Sequence, residues 1–297
     1  MSVGETARPG QAHAHGFGLP ELMVALVVAA IVLGSITMSF LHTSNQARRL
    51  TDVTDERQNA RTAVQLLERE IRMAGSGWGR VDIFCNSCAG TADTLLAVNP
   101  GYTTLGGNDS LVLVGAWQAT TTLAASMANP TSATTVSSSS GFANGDLFIV
   151  TNSTTGKAHM LMCTGVPSAT TLNHAGSSAY NTSDLTHLQN TWPASGGYAA
   201  TVTSVYKATV TSYYYDTSSF KKPALMRHEY GQPPQVVAYN VDGFRVWYEL
   251  QDGTWTRNPA NMSTVDKVAP VVFTKVTDPR LTTVRDSVWA AVQPRTF

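Results

Sequence analysis

Cys85 and Cys88, with two residues between them, are the local pair with the greatest reactive potential in this sequence of 297 residues. Three chemistries suit the spacing. In an oxidising compartment the thiols would close a small disulfide ring, contributing only about 2 kcal/mol through loop-closure entropy. With two more ligands they could hold a tetrahedral zinc, Cys163 with His159 or His174 being the candidates. A redox pair would need a surrounding β-α-β pattern, which is absent. The disulfide is favoured. Cys163, inside an apolar run, reads as a small buried residue, the thiol left over if two of the three cysteines pair. The seven histidines are scattered, with no two at ligand spacing on a predicted helix. No nucleophile elbow, phosphate-cradling glycine loop or metalloprotease helix is present. No enzymatic activity, cofactor or resident metal is expected.

Glu21 poses a different chemical question. It stands at the edge of the longest charge-free apolar stretch, the 20 residues Leu22 to Leu41. At about 1.5 Å per residue such a run spans about 30 Å, the thickness of a bilayer's hydrocarbon core. A buried core helix is the other reading of the run, and a membrane span the better one. Ser35, Thr37 and Ser39 can return their hydroxyls to the helix's own carbonyls, and Gly34 is of a type common in membrane helices. A carboxylate at that depth is costly and needs a partner. The polar segment Met1–His15 meets the apolar block at Gly16-Phe17. The apolar run is too long for an ordinary secretory signal, and no small-residue cleavage site follows Leu41.

The stretch Gly16-Phe17-Gly18-Leu19-Pro20-Glu21-Leu22 resembles the prepilin signature of type IV pilus subunits. The resemblance implies that a prepilin peptidase cuts between Gly16 and Phe17, discarding residues 1–16 as a leader, His13 and His15 with it. Phe17 would then be the N-methylated first residue. Glu21 would be the acid at mature position five, pairing with the terminal amine of a neighbouring subunit and setting axial register. That pairing has a physical reason, because an unpaired carboxylate in the low-dielectric core of a filament is expensive. A Glu21 that merely sits at headgroup level is the plainer alternative. Gly18 and Pro20 depart from the commoner residues of the signature, but proline is at home in a helix's first turn. Arg8 is the one cation of the leader, so orientation follows from the resemblance more than from charge.

Beyond Leu41 the chain turns polar but keeps helical spacing through Leu50, Val53, Arg57, Ala60, Val64, Leu67 and Ile71, an apolar stripe. Arg48, Asp52, Glu56, Arg61, Glu68, Glu70 and Arg72 are expected on the other faces, with Glu68 and Arg72 attracting at i,i+4. Gly75, Gly77 and Gly79 should stop the helix. One rod of roughly 87 Å is expected from Phe17 to about Ala74. The segments Arg57–Arg61 and Leu66–Gly75 resemble the PilW family of minor pilins at the same distance from the span. The expected organisation is leader 1–16, membrane or filament-core half-helix 17–41, amphipathic half-helix 42–75 and a globular β-rich domain 76–297. The fold class is α+β: a long N-terminal helix packed on an antiparallel sheet.

Strands are predicted at Ser110–Ala116, Asp146–Asn152, Lys157–Cys163, Val202–Asp216, Leu225–Tyr230, Gln235–Tyr239, Phe244–Leu250 and Thr283–Val292, from Val, Thr and Tyr enrichment. Asn144-Gly145 and Asp252-Gly253 mark turns, the second closing a hairpin onto Thr254–Arg257. Ala119–Ser140 and Asn173–Tyr198, rich in Ser, Thr, Ala and Gly, read as solvated loops or tip-exposed contact loops. Gly145-Asp146, Tyr213–Tyr215, Leu225-Met226-Arg227 and Val241–Tyr248 follow the PilW order as softer motifs.

Charged residues make up 13 %, with 20 Lys+Arg against 20 Asp+Glu, below the roughly 25 % of soluble domains. That balance gives no electrostatic reason to expect a nucleic-acid partner. The resemblance implies a minor pilin that primes or caps a type IV pilus, held in the inner membrane by a single pass with a periplasmic domain before joining an extracellular filament. Its partners would be prepilin peptidase, other minor and major pilins, inner-membrane lipid and a tip adhesin. A J-type pseudopilin of a type II secretion system is the close alternative, and a membrane-tethered adhesin or binding module the alternative of another class.

Overall fold

Fifty-five residues from Leu19 to Met73 form a single α-helix, α1. A computed structural model of the chain describes residues 18–78, 83–88, 92–101, 107–116, 118, 120–152, 154–174, 181, 185–194, 196–218, 222–276 and 284–294. The chain divides into two units, Met1–Asp52 and Val53–Phe297.

In the first unit the large apolar side chains from Leu22 to Leu41 stand in the open, from 49 % exposed at Val32 to 77 % at Met38. The helix there is long and apolar enough to cross a membrane. Ser35 donates its hydroxyl to the Ile31 carbonyl at 2.9 Å and Thr37 to that of Leu33 at 2.8 Å. This return bonding removes the cost of carrying those hydroxyls into hydrocarbon.

In the second unit the helix buries Ala60, Ala63, Val64, Leu67 and Ile71, the spacing of an apolar stripe. The expected stripe is corrected at its start. Leu50 is 68 % exposed, and the Arg57 guanidinium lies half-exposed, 2.7 Å from Asp286. Glu56 and Glu70, expected on polar faces, are buried instead. Glu68 and Arg72 pair as expected. The helix stops where Gly75 takes φ 75° and gives its N–H to the Val114 carbonyl at 2.9 Å. That conformation is open to glycine at little cost.

Among the described residues the strands are β1 (Ile83–Cys88), β2 (Ala92–Leu95), β3 (Val98–Gly101), β4 (Ser110–Gly115), β5 (Thr120–Thr122), β6 (Thr134–Thr135), β7 (Leu147–Asn152), β8 (Lys157–Met162), β9 (Gly165–Ser168), β10 (Thr171–Asn173), β11 (Ser204–Asp216), β12 (Ala224–Glu229), β13 (Gln235–Tyr239), β14 (Val241–Leu250), β15 (Trp255–Thr256), β16 (Val265–Val276) and β17 (Val284–Trp289). The fold is α+β. The largest sheet runs β13-β12-β11-β7-β8-β1-β2, with β3, β4 and β5 attached beside it. Its keystone is the 13-residue β11. Residues 204–206 of β11 pair with both β5 and β7, and residues 211–214 pair with both β12 and β4. One strand therefore serves two sheet halves. Among the described strands the pairing is antiparallel, as expected, except for β1 on β8, which is parallel.

The sheet is buried on both faces around β7, where all six residues are buried. Leu147 and Ile149 point to the core that holds the helix stripe, Phe148 and Val150 to a second core. Alternation along a strand sends neighbours to opposite faces, so an unbroken buried run means that both faces are covered. The second cover comes from β6, β10 and β9 and from the two segments expected to be loops. Leu123, Met127, Val136, Trp192 and Tyr198 are buried there. Sparse apolar residues in Ser/Thr-rich sequence carry that core, which a compositional reading takes for solvated chain.

A separate four-stranded sheet runs β15-β14-β16-β17. The Asp252-Gly253 turn closes β14 onto β15 as expected, Gly253 at φ 82° and Thr254 N–H donating to Asp252 Oδ1 at 2.8 Å. Strand β16 is not among the strands expected from sequence, and it carries Pro270 in its middle. Val271 lies opposite Trp289, and Val268 exchanges both backbone bonds with Val292 in the same register. Position 270 would present its N–H to that same side, opposite Ala290, and proline has none. β17 accordingly ends at Trp289 and resumes only as a bridge at Val292. The near edge of β14 is sealed by the segment before β4. Asn108 Oδ1 accepts from Phe244 N–H at 2.8 Å and Asp109 Oδ2 from Val246 N–H at 2.9 Å, while Arg257 clamps Asp109.

Candidate functional site

Gly16 and Phe17, the expected processing residues, lie outside the described residues. Gly18 is the N-cap of α1, its carbonyl accepting from the Glu21 and Leu22 N–H groups at 3.1 and 3.2 Å. Glu21 reaches back so that its Oε2 accepts the Gly18 N–H at 2.7 Å. This is the acidic half of a capping box, satisfying a donor that the helix start would otherwise leave unpaired. Pro20 occupies the same first turn, where a missing N–H costs nothing. The carboxylate also meets the positive end of the helix dipole. With two oxygens it retains capacity for a cationic partner. Glu21 shares a helix face with Val24, Ala25, Val28, Ala29 and Val32, where small alanines allow another helix to approach closely.

Sequence reasoning missed a second polar set, which pins the amphipathic end of α1 to the sheet. Arg227 on β12 donates from Nε to Glu70 Oε1 at 3.0 Å and from Nη2 to Glu229 Oε2 at 3.0 Å. Asn240, in the turn between β13 and β14 at φ 58°, donates to Glu56 Oε1 at 3.0 Å. Tyr213 is buried beside Glu70 and Arg227, and burial, followed by the Glu70 charge, drives its phenol well above the ordinary range. The signal was available in principle. Residues 56, 60, 63, 67 and 70 step by four and three along one face, so two acids occupy positions of the buried stripe.

Cys85 is disulfide-bonded and Cys163 is a free thiol, while the Cys88 side chain lies outside those described. Cys163 donates to the Gly165 carbonyl at 3.3 Å, and burial raises its pKa. The histidines weighed as zinc ligands are core residues. His159 places Nδ1 2.7 Å from Tyr198 Oη and Nε2 3.0 Å from Thr191 Oγ1, with the Trp192 ring 4.4 Å away. Thr191 gives its own proton to the Leu188 carbonyl at 2.9 Å, so Nε2–H donates to Thr191 and Nδ1 accepts from Tyr198. Only the neutral ring satisfies that arrangement, and burial lowers its pKa to about 3, with the Lys157 charge adding to the effect. His174 contacts the Pro130 carbonyl through Nε2 and Thr134 through Nδ1, and burial lowers its pKa also. Among the described residues no three His, Cys, Asp or Glu side chains gather as a metal would require.

Residues 11–37 match the prokaryotic N-terminal methylation motif. This is a pilin-type N-terminus. The match takes in Gly16, Phe17, Glu21 and the first part of the apolar helix. It supports a type IV pilin-like or pseudopilin-like subunit, cut by prepilin peptidase and assembling with other pilins, and it fits anchoring of the helix in the inner membrane before assembly. No curated protein and no solved structure matches the chain.

Proposed function

We propose that the chain is a minor pilin of the PilW kind, which joins other minor and major pilins, primes assembly of a type IV pilus and stays at or near its tip. The observation that carries the reading is Glu21, placed in the first turn of an exposed apolar helix four residues beyond the Phe17 at which the pilin motif is cut. Cleavage frees a cationic amine at Phe17, and methylation keeps it cationic. In a bundle of such helices, the amine of one subunit and the Glu21 carboxylate of its neighbour satisfy each other where water is excluded, which fixes their axial offset. The protein acts by assembly and not by catalysis: the two buried histidines and the free thiol are engaged in packing.

The test is mass spectrometry of the mature protein from its native host, combined with affinity isolation of its partners. Expected are an N-methylated Phe17 terminus and co-isolation with minor pilins. Retention of residues 1–16 would sink the pilin reading. Co-isolation with a secretion apparatus would reassign the subunit to a type II secretion pseudopilus.

A further inference from the structure

Three tryptophans stand on one face of the four-stranded sheet. Along β14, Phe244, Val246 and Tyr248 are buried while Arg245 and Trp247 are exposed, so the odd-numbered residues form an outer face. Cross-strand partners share a face. Arg245, Val271 and Trp289 therefore form one row across β14, β16 and β17, Gly243, Phe273 and Ser287 the next, and Lys275 faces Arg285 beyond it. In the other direction Trp247 faces Ala269, and Glu249 faces Trp255 on β15. Trp247, Trp255 and Trp289 are 36, 40 and 61 % exposed. They are separated rings and not one continuous apolar patch, Trp289 lying two strands, about 10 Å, from the β14 backbone.

Beside the Arg245–Val271–Trp289 row, on the side away from Trp247 and Trp255, lies a groove of about 490 Å³, floored by Gly243, Phe273 and Ser287 and flanked by Arg245 and Arg285 and by the acids Asp242 and Asp286. The Arg245 guanidinium lies 5.3 Å above the Phe273 ring. Lys275 directly opposite Arg285 is a like-charge pair that costs stability. Arg285 leans on Asp242 at 3.5 Å, and among the described residues neither Arg245 nor Lys275 has an acid at ion-pair distance. Across the face the cations Arg245, Lys267, Lys275 and Arg285 outnumber the acids Asp242 and Glu249, and Asp286 at the groove's rim is already held by Arg57.

We propose that the outer face of the β15-β14-β16-β17 sheet is a binding site for a carboxylate-bearing polysaccharide. Arg245, Lys275 and Arg285 supply the charge complement, and the planar guanidinium suits a carboxylate. The tryptophan rings offer platforms to the C–H faces of sugar rings, and three separate rings on one face suit a ligand that repeats. Ser287 in the groove accepts hydrogen bonds from hydroxyls, which a sugar chain supplies at every ring. Single-stranded nucleic acid would also use basic groups and stacking rings and is the competing outcome of the test. The surplus positive charge opposes pairing of this face with its own copy. The site stands independently of the pilin reading, since none of its residues lies in α1.

The experiment is retention of the full-length chain, in detergent micelles, on immobilised polygalacturonate, beside its methyl-esterified form and an oligo-dT strand. Expected is binding to polygalacturonate that weakens at least tenfold on esterification, at least tenfold in Arg245→Ala and in Trp289→Ala, and that is largely restored in Trp289→Phe. All three variants change exposed residues, and unchanged melting temperatures would exclude misfolding. Absence of binding, equal binding to the esterified polymer, indifference to both alanine variants, or tighter binding to oligo-dT would each overturn the proposal.

Discussion

Arg227 sits between two carboxylates at the junction of α1 and the sheet, and breaking such a contact costs more than the contact contributes. Glu70 is 7 % exposed, so Arg227→Met leaves a carboxylate with little water and no cation. Expected is a loss of about 3 kcal/mol in urea unfolding, most of it recovered in the Glu70→Met/Arg227→Met double variant. A single-variant loss below about 1 kcal/mol would mean that water reaches Glu70 freely. His159 makes a second prediction. Its folded pKa of about 3 lies below the ordinary histidine value of 6.5, so between those values the unfolded chain binds the extra proton. The stabilisation is present above pH 6.5 and is lost as pH falls toward 3. From pH 7.5 to pH 5 the expected loss is about 2 kcal/mol, with His174 acting in the same direction. His159→Gln should flatten that pH dependence, and a slope unchanged by the substitution would assign it to other groups.

At the scale of elements, α1 has one sequence signal for helix and two environments. Leu67 is fully buried and Leu50 is 68 % exposed. Leu67→Ala should cost about 3 kcal/mol through lost transfer and a residual cavity, whereas Leu50→Ala should change the unfolding midpoint of the globular unit hardly at all. Equal effects of the two would contradict the observed burial. In the four-stranded sheet, Pro270 is the cause of the gap in β17. Pro270→Val restores an N–H opposite Ala290, and hydrogen exchange should show a protected amide at 270 with β17 continuing to Val292. An amide there that exchanges at the rate of a loop would place the cause elsewhere.

The whole molecule concentrates its packing in the second unit. Both cores draw their residues from Ala60 onward, one against the helix stripe and one on the opposite face of the sheet. Deleting residues 1–52 should leave a cooperative unfolding transition at an unchanged midpoint while abolishing partition into vesicles. A truncated chain without that transition would show that the first unit contributes to folding. Membrane attachment and tertiary stability are thus separable properties, because an apolar run with no buried contacts stabilises nothing in water and is stabilised itself only by lipid or by other helices.

By itself the sequence determined the features written in contiguous residues. The span Leu22–Leu41, the Gly16-Phe17…Glu21 spacing, the glycine stop after Met73, the Asp252-Gly253 hairpin and the apolar or alternating strands β4, β7, β8, β11, β12, β13, β14 and β17 were all legible, since length, period and turn chemistry act locally. What only the tertiary structure decided depends on partners far along the chain. Glu56 and Glu70 are acids by type and are buried because Asn240 and Arg227 meet them from beyond residue 220. The Ser/Thr-rich segments around Leu123 and Trp192 carry too few apolar residues to announce a core, yet a sheet with a second bare face collects them. Strand β16 hides behind Pro270, whose missing N–H is harmless only opposite the break in β17. The outer face that carries the tryptophans and arginines exists only in cross-strand register, where residues 245, 271 and 289 become neighbours.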